Sequence, residues 1–139
     1  MTDGRGPLLL DTHCWVWSQF GQEREFSPDG LSALRQAAAD GMLLVSVISA
    51  WEVALLVSKR RLHLNMDCID WVRRALETPG LRLVPLTAEI AVESTCLPGD
   101  LHGDPADRIL VATARNVGAR FMTRDRALLD YSHVRVVSA

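Results

Sequence analysis

Apolar residues in this chain fall into two alternating arrangements. Short apolar runs stand at residues 8–10, 43–47, 81–84, 120–122 and 134–137, with turn formers such as Pro7, Gly41, Gly80 and Gly118 nearby, and have the length of buried strands. Between them lie longer segments with apolar positions three and four apart. Ser27-Pro28 has the form of an N-cap followed by proline at the first helical position, opening a helix through Leu31, Leu34 and Ala38 that stops at Gly41. Ser49 is placed to cap a second helix through Trp51, Ala54 and Leu55 towards Arg60. Asp67 opens a third, through Cys68, Trp71, Val72 and Leu76, which Pro79-Gly80 ends. Thr87 starts a short fourth, and Asp104-Pro105 starts a fifth that carries Ile109, Leu110, Ala112, Thr113 and Val117 to Gly118.

Strands apolar on both faces, alternating with helices, predict a parallel sheet covered on both sides. The expected architecture is a three-layer α/β/α sandwich with a central, mostly parallel sheet of about five strands, formed as one domain by residues 1–139. Ligand sites in such sheets lie beyond the carboxyl ends of the strands. Polar residues just after each strand are therefore the candidates.

Carboxylates occupy those positions. Asp11 directly follows Leu8-Leu9-Leu10, where it serves either as the N-cap of a helix beginning near His13 or as a site residue. Glu52 lies in Ser49-Ala50-Trp51-Glu52, which is also a capping-box pattern on the first turn of its helix. In Asp104-Pro105-Ala106-Asp107-Arg108, Asp104 is the natural N-cap, and Asp107 is the third helical residue, beside the positive end of the helix dipole. Asp125 follows the fourth strand and can cap a short helix at residues 126–129. Each acid alone has a capping explanation, but four at one sheet edge would repel strongly unless they were protonated or held a cation. An all-oxygen set favours Mg²⁺ or Mn²⁺, and such an ion with several waters suits phosphodiester hydrolysis.

Composition changes this picture little. The 139 residues are 48% hydrophobic and carry 15 Lys and Arg against 17 Asp and Glu, a formal charge of −2 that is unlike a basic nucleic-acid coat. Setting aside the four candidate acids leaves the remainder net positive, with every cation but Lys59 an arginine. Arg108 and Arg124 adjoin candidate acids and can grip phosphate or pair with carboxylates. Lys59-Arg60-Arg61 suits a helix C-terminus or contact with RNA phosphates. Trp15 and Trp17, two apart on a helix, cannot share a face, so one is expected exposed, at a partner contact or against a base. His13 and His102 read as supporting or surface residues, and Cys14 as packing.

Three scattered cysteines give no disulfide framework and no zinc motif. The longest charge-free stretches are 11 residues, too short for a bilayer, and the N-terminus lacks the apolar run of a signal peptide. A cytoplasmic protein, free of membranes, is expected.

Four segments together, Leu8-Leu9-Leu10-Asp11-Thr12-His13, Ser49-Ala50-Trp51-Glu52-Val53-Ala54, the block from His102-Gly103-Asp104-Pro105-Ala106-Asp107 to Ala114, and Thr123-Arg124-Asp125, resemble a PIN-domain protein. Within that superfamily the chain is most similar to VapC-type toxins of bacterial toxin–antitoxin pairs. The resemblance implies a Mg²⁺- or Mn²⁺-dependent endoribonuclease, usually a homodimer, silenced by a small VapB-like antitoxin whose tail covers the active-site groove. It matches Asp11, Glu52, Asp107 and Asp125 to the metal-binding acids, Asp104 to a supporting acid and Thr123 to a small hydroxyl residue near the site. Leu56 stands where relatives often carry a lysine four residues past the glutamate. The alternative reading is a regulator that binds RNA or a partner through the same acids without cutting. A phosphatase of the haloacid-dehalogenase type is disfavoured because His13, not aspartate, stands two residues after Asp11.

Overall fold

The computed structural model describes residues 5–101 and 103–139; residues 1–4, part of the N-terminal stretch considered above, and His102 lie outside the described residues. Among the described residues, five strands, β1 (Leu8–Leu10), β2 (Leu43–Ser46), β3 (Leu81–Val84), β4 (Arg120–Thr123) and β5 (Val136–Ser138), form one sheet in the order β3-β2-β1-β4-β5. Every neighbouring pair is parallel, with Leu8 opposite both Leu43 and Arg120. β1 is central. Three consecutive leucines suit a strand only where both sheet faces are covered, and all three are fully buried.

Among the described residues, seven helices pack on the sheet: α1 (Thr12–Gln19), α2 (Pro28–Ala39), α3 (Val47–Ser58), α4 (Cys68–Leu76), α5 (Ala88–Glu93), α6 (Pro105–Val117) and α7 (Arg126–Leu129), with a 3-10 turn at Glu23–Glu25. The alternation of strand side chains sorts the core into two layers. Leu8 and Leu10 join Trp15, Val45, Val53, Trp71 and Met122 under α1 to α4. Leu9 points the other way, to Ile90, Leu110, Val111 and Phe121 under α5 and α6. Each fully buried leucine contributes about 1.5–3 kcal/mol relative to an exposed one. This is the α/β/α sandwich expected from the sequence. Among the described residues, no helix is long and apolar enough to cross a membrane.

β2 ends at Ser46 instead of residue 47 and β4 reaches Thr123, and two further boundary differences have a tertiary reason. α3 begins at Val47, capped by Ser46, whose Oγ accepts from the Ile48 amide at 3.0 Å. Ser49 is not the cap, because its hydroxyl is buried within the helix against Thr12. β5 starts at Val136 instead of residue 134, because pairing of Phe121 with Val136 and of Thr123 with Ser138 sets its register, while Val134 packs against the second core layer. Asp67 occupies the N-cap position of α4 but its side chain makes no capping bond. The Gly118 stop is as expected, in the left-handed conformation (φ 69°) that glycine adopts without steric cost.

Candidate active site

In an all-parallel sheet the carboxyl ends of the strands share one edge, and a helix that packs back along the sheet starts there. Asp11 is the residue between β1 and α1, Asp125 is the second of two residues between β4 and α7, and Asp104 and Asp107 stand at the start of α6. Glu52 comes from α3, three residues further in than a cap at Ser49 would place it, so the expected capping box does not form. These five acids line one cleft of about 260 Å³, together with His13, Cys14, Trp17 and Arg124.

A hydroxyl network orients the carboxylates. Asp11 caps α1 through Oδ1, which accepts from the Thr12 amide at 2.8 Å, while Oδ2 accepts from Thr123 Oγ1 at 2.7 Å. The same Thr123 oxygen accepts from the Asp125 amide at 3.1 Å, tying the ends of β1 and β4 together. Thr12 Oγ1 lies 2.5 Å from Glu52 Oε1 and 2.8 Å from Ser49 Oγ. An ionised carboxylate only accepts, so Thr12 donates to Glu52 and receives from Ser49. Asp104 Oδ1 caps α6 by accepting from the Asp107 amide at 2.8 Å, and Asp125 Oδ1 caps α7 by accepting from the Ala127 amide at 2.9 Å. Capping and site membership therefore coexist in Asp11, Asp104 and Asp125.

Electrostatics show how close the acids lie. Burial raises the Asp11 carboxyl above its ordinary range, partly offset by the bonds from Thr123 and Thr12, with Asp125 adding a further upward push. Glu52 is raised by burial, against the Thr12 bond and with repulsion from Asp11 and Asp104. Asp107 is pushed up to about 7 by burial and then by Asp104, Asp11, Glu52 and Asp125. All four other acids act on this one carboxyl. Among the described residues, no three His, Cys, Asp or Glu side chains close into a ready-made cation cage. The all-oxygen donor set around an open cleft nonetheless fits a hard cation that retains several waters and takes few direct carboxylates. Asp11, Glu52, Asp107 and Asp125 are the side chains available to hold one.

The two arginines separate. Arg108 turns away from the cleft, donating from Nε to the Ser94 carbonyl at 2.8 Å and from a terminal nitrogen to the Leu101 carbonyl at 2.6 Å, so its expected phosphate role is replaced by a structural one. Arg124 does line the cleft; its guanidinium lies 4.3 Å over the Trp17 ring and pairs with the Glu25 carboxylate at 2.9 Å. Trp15 is fully buried, and Trp17 is not exposed as expected for one of the pair but half-buried, lining the cleft while packing against the same core layer as Trp15. Lys59, Arg60 and Arg61 are exposed past the end of α3 and are not part of the cleft lining. Cys14 lines the cleft, but burial pushes its thiol up to about 12, which leaves it protonated and inert. His13 is exposed at the rim.

Three contributors escaped the sequence reading. Thr12 and Ser49 reach the site only through contacts across the sheet edge. Gly103 lies so near Asp107 that a Cβ there would stand 2.9 Å from the aspartate Cβ. A glycine just ahead of Asp-Pro was the available signal for that close approach.

The PIN domain family model matches residues 8–134. The chain is 34% identical over 131 residues to Ribonuclease VapC22 of Mycobacterium tuberculosis (strain ATCC 25618 / H37Rv), covering 94% of this chain and 96% of that protein. The fold is similar to the crystal structure of VapBC2 from Rickettsia felis bound to a DNA fragment from the promoter, with a TM-score of 0.70 at 15% identity over 94% of this chain and 97% of that one. It is similar again to DNA-bound VapBC from Salmonella typhimurium, with a TM-score of 0.69 at 12% identity over 96% and 98% of the two chains.

Proposed function

The chain belongs to the PIN domain family, and on that footing we propose that it is a Mg²⁺- or Mn²⁺-dependent endoribonuclease, the toxin of a VapC-type toxin–antitoxin pair. The observation that carries the chemistry is the gathering of Asp11, Glu52, Asp104, Asp107 and Asp125 in one cleft, where burial first and then repulsion from the other four lift the Asp107 carboxyl to about 7. Such crowding costs stability in a bare protein and favours cation binding. A bound divalent ion would supply an activated water and neutralise charge on the phosphate.

The protein's own groups have defined tasks in this reading. Asp11, Glu52, Asp107 and Asp125 would hold the cation, with Asp11 aimed by Thr123 and Glu52 by Thr12. Asp104 adds negative potential and starts α6 in the orientation that presents Asp107. Arg124 is the cleft cation suited to steadying a phosphate oxygen. The same reading includes a VapB-like antitoxin over the cleft and a homodimer of the toxin.

The test is cleavage of RNA by the purified full chain. Cutting is expected with Mg²⁺ or Mn²⁺, should stop in excess EDTA, and should fall at least about a hundredfold in Asp11→Asn with the circular dichroism spectrum unchanged. Equal cutting in EDTA, or by Asp11→Asn, refutes the proposal. Toxicity on induction that is the same for wild type and Asp11→Asn would point to the non-cleaving regulator.

A further inference from the structure

Trp17 is a wall shared by two cavities. One is the acidic cleft; the other is a separate cavity of about 240 Å³ with Phe26, Leu31 and Leu34 inside it and Gln22 and Arg35 at its exposed rim. Phe26 meets the Trp17 ring edge-on, with centroids 6.0 Å apart and planes at 86°. Arg124, part of the acidic cleft, lies over the same ring and is held there by Glu25. An aromatic wall, an apolar interior and a polar rim thus adjoin the carboxylates across a single indole.

We infer that this second cavity is a nucleobase subsite, which takes the base of a nucleotide flanking the scissile phosphate of single-stranded RNA. The inference rests on the ribonuclease reading above. Three features select a base as the occupant. The volume is below the roughly 300–1,000 Å³ of pockets for drug-sized molecules, so it suits one flat ring system. The apolar interior matches the faces of a heterocycle, while the Gln22 amide and the Arg35 guanidinium stand at the rim to meet its hydrogen-bonding edge. Arg35 is paired with Glu23, but both are exposed, and an exposed ion pair of this kind costs little to rearrange. Finally, Arg124 lines the acidic cleft and stacks on the indole that also walls this second cavity, which supplies a cation for the phosphate joining an acid-bound nucleotide to a neighbouring base. Proteins that read single strands use this combination of splayed bases, aromatic faces and arginine planes.

The four nucleoside 5′-monophosphates are the probes, titrated in EDTA into the isotope-labelled full chain. At least one should shift the Trp17 indole N–H and the Gly21 amide saturably, and Leu31→Trp, which fills the cavity, should remove that response. In a randomised RNA library with Mg²⁺, sequenced ends should show a base preference of about 5- to 10-fold beside the cut, the discrimination that a rim hydrogen bond of about 1–1.4 kcal/mol supplies, falling below about twofold in Leu31→Trp. Arg35→Ala and Gln22→Ala, both at exposed positions, should each weaken the preference by several-fold and keep the inference testable if Leu31→Trp does not fold. No response to any of the four nucleotides, or an unchanged preference in these variants, overturns it. Cleavage that Asp11→Asn abolishes but that shows no base preference refutes the subsite alone. Saturable nucleotide binding without metal-dependent cleavage refutes the ribonuclease reading alone.

Discussion

Replacing Asp107 by asparagine should make the metal-free protein more stable at alkaline pH while removing its activity. The carboxyl has an ordinary value of 3.8 and is raised to about 7 in the folded protein. A rise of that size corresponds to about 4 kcal/mol for a group sealed from water. Asp107 is only half-buried, and screening by solvent reduces this to about 1–2 kcal/mol. The sign follows from proton binding. Between about pH 4 and 7 the folded chain keeps a proton on Asp107 that the unfolded chain has lost, so this residue makes stability fall as pH rises through that window. Above pH 7 the full cost is present; below pH 4 it vanishes. Urea unfolding in EDTA should therefore find Asp107→Asn more stable than wild type by about 1–2 kcal/mol at pH 8 and nearly equal to it at pH 4. Adding Mg²⁺ or Mn²⁺ at pH 8 should stabilise wild type and leave the variant almost unmoved. A variant less stable than wild type at pH 8, or one with the same increment at both pH values, would refute the electrostatic account.

Other outcomes follow from single contacts. Thr123→Val removes a buried hydroxyl that donates to Asp11 and accepts from the Asp125 amide; it should cost about 1–3 kcal/mol in urea unfolding and weaken divalent-ion affinity by about 10- to 100-fold in calorimetry. Arg108→Ala should lower stability by about 1.5–3 kcal/mol, because the Ser94 and Leu101 carbonyls lose their charged donor, and leave KM for RNA unchanged; a raised KM at full stability would restore the phosphate role. Gly103→Ala should displace Asp107 and reduce ion affinity more than stability, a split visible by comparing calorimetric titration with thermal melting. Cys14 should resist iodoacetamide at pH 8 until the protein is unfolded, as judged by mass spectrometry of the modified peptide.

Much of this molecule is legible from residues a few positions apart. The three leucines of β1, the Ser27-Pro28 and Asp104-Pro105 helix starts and the Gly118 stop are local signals, and each stands in the structure where its neighbours in sequence imply. The strand-end rule likewise finds Asp11 and Asp125 without knowledge of strand order, because a residue that leaves a parallel strand must emerge at the carboxyl edge. What the chain alone leaves open is partnership across that edge. Two serines three residues apart could each cap α3, and the choice of Ser46 depends on Thr12 occupying Ser49 from the first turn of α1. Arg108 and Arg124 look alike beside their aspartates, yet one is drawn to carbonyls of the segment before α6 and the other across to Trp17 and Glu25. The alternation of strand and helix and the supply of acids at strand ends are local properties of the chain, since period and caps act within a turn or two. Which hydroxyls orient those acids, which arginine faces them and how far Asp107 is raised follow from the packing, because burial and Coulomb repulsion depend on distances set by placing β1 between β2 and β4.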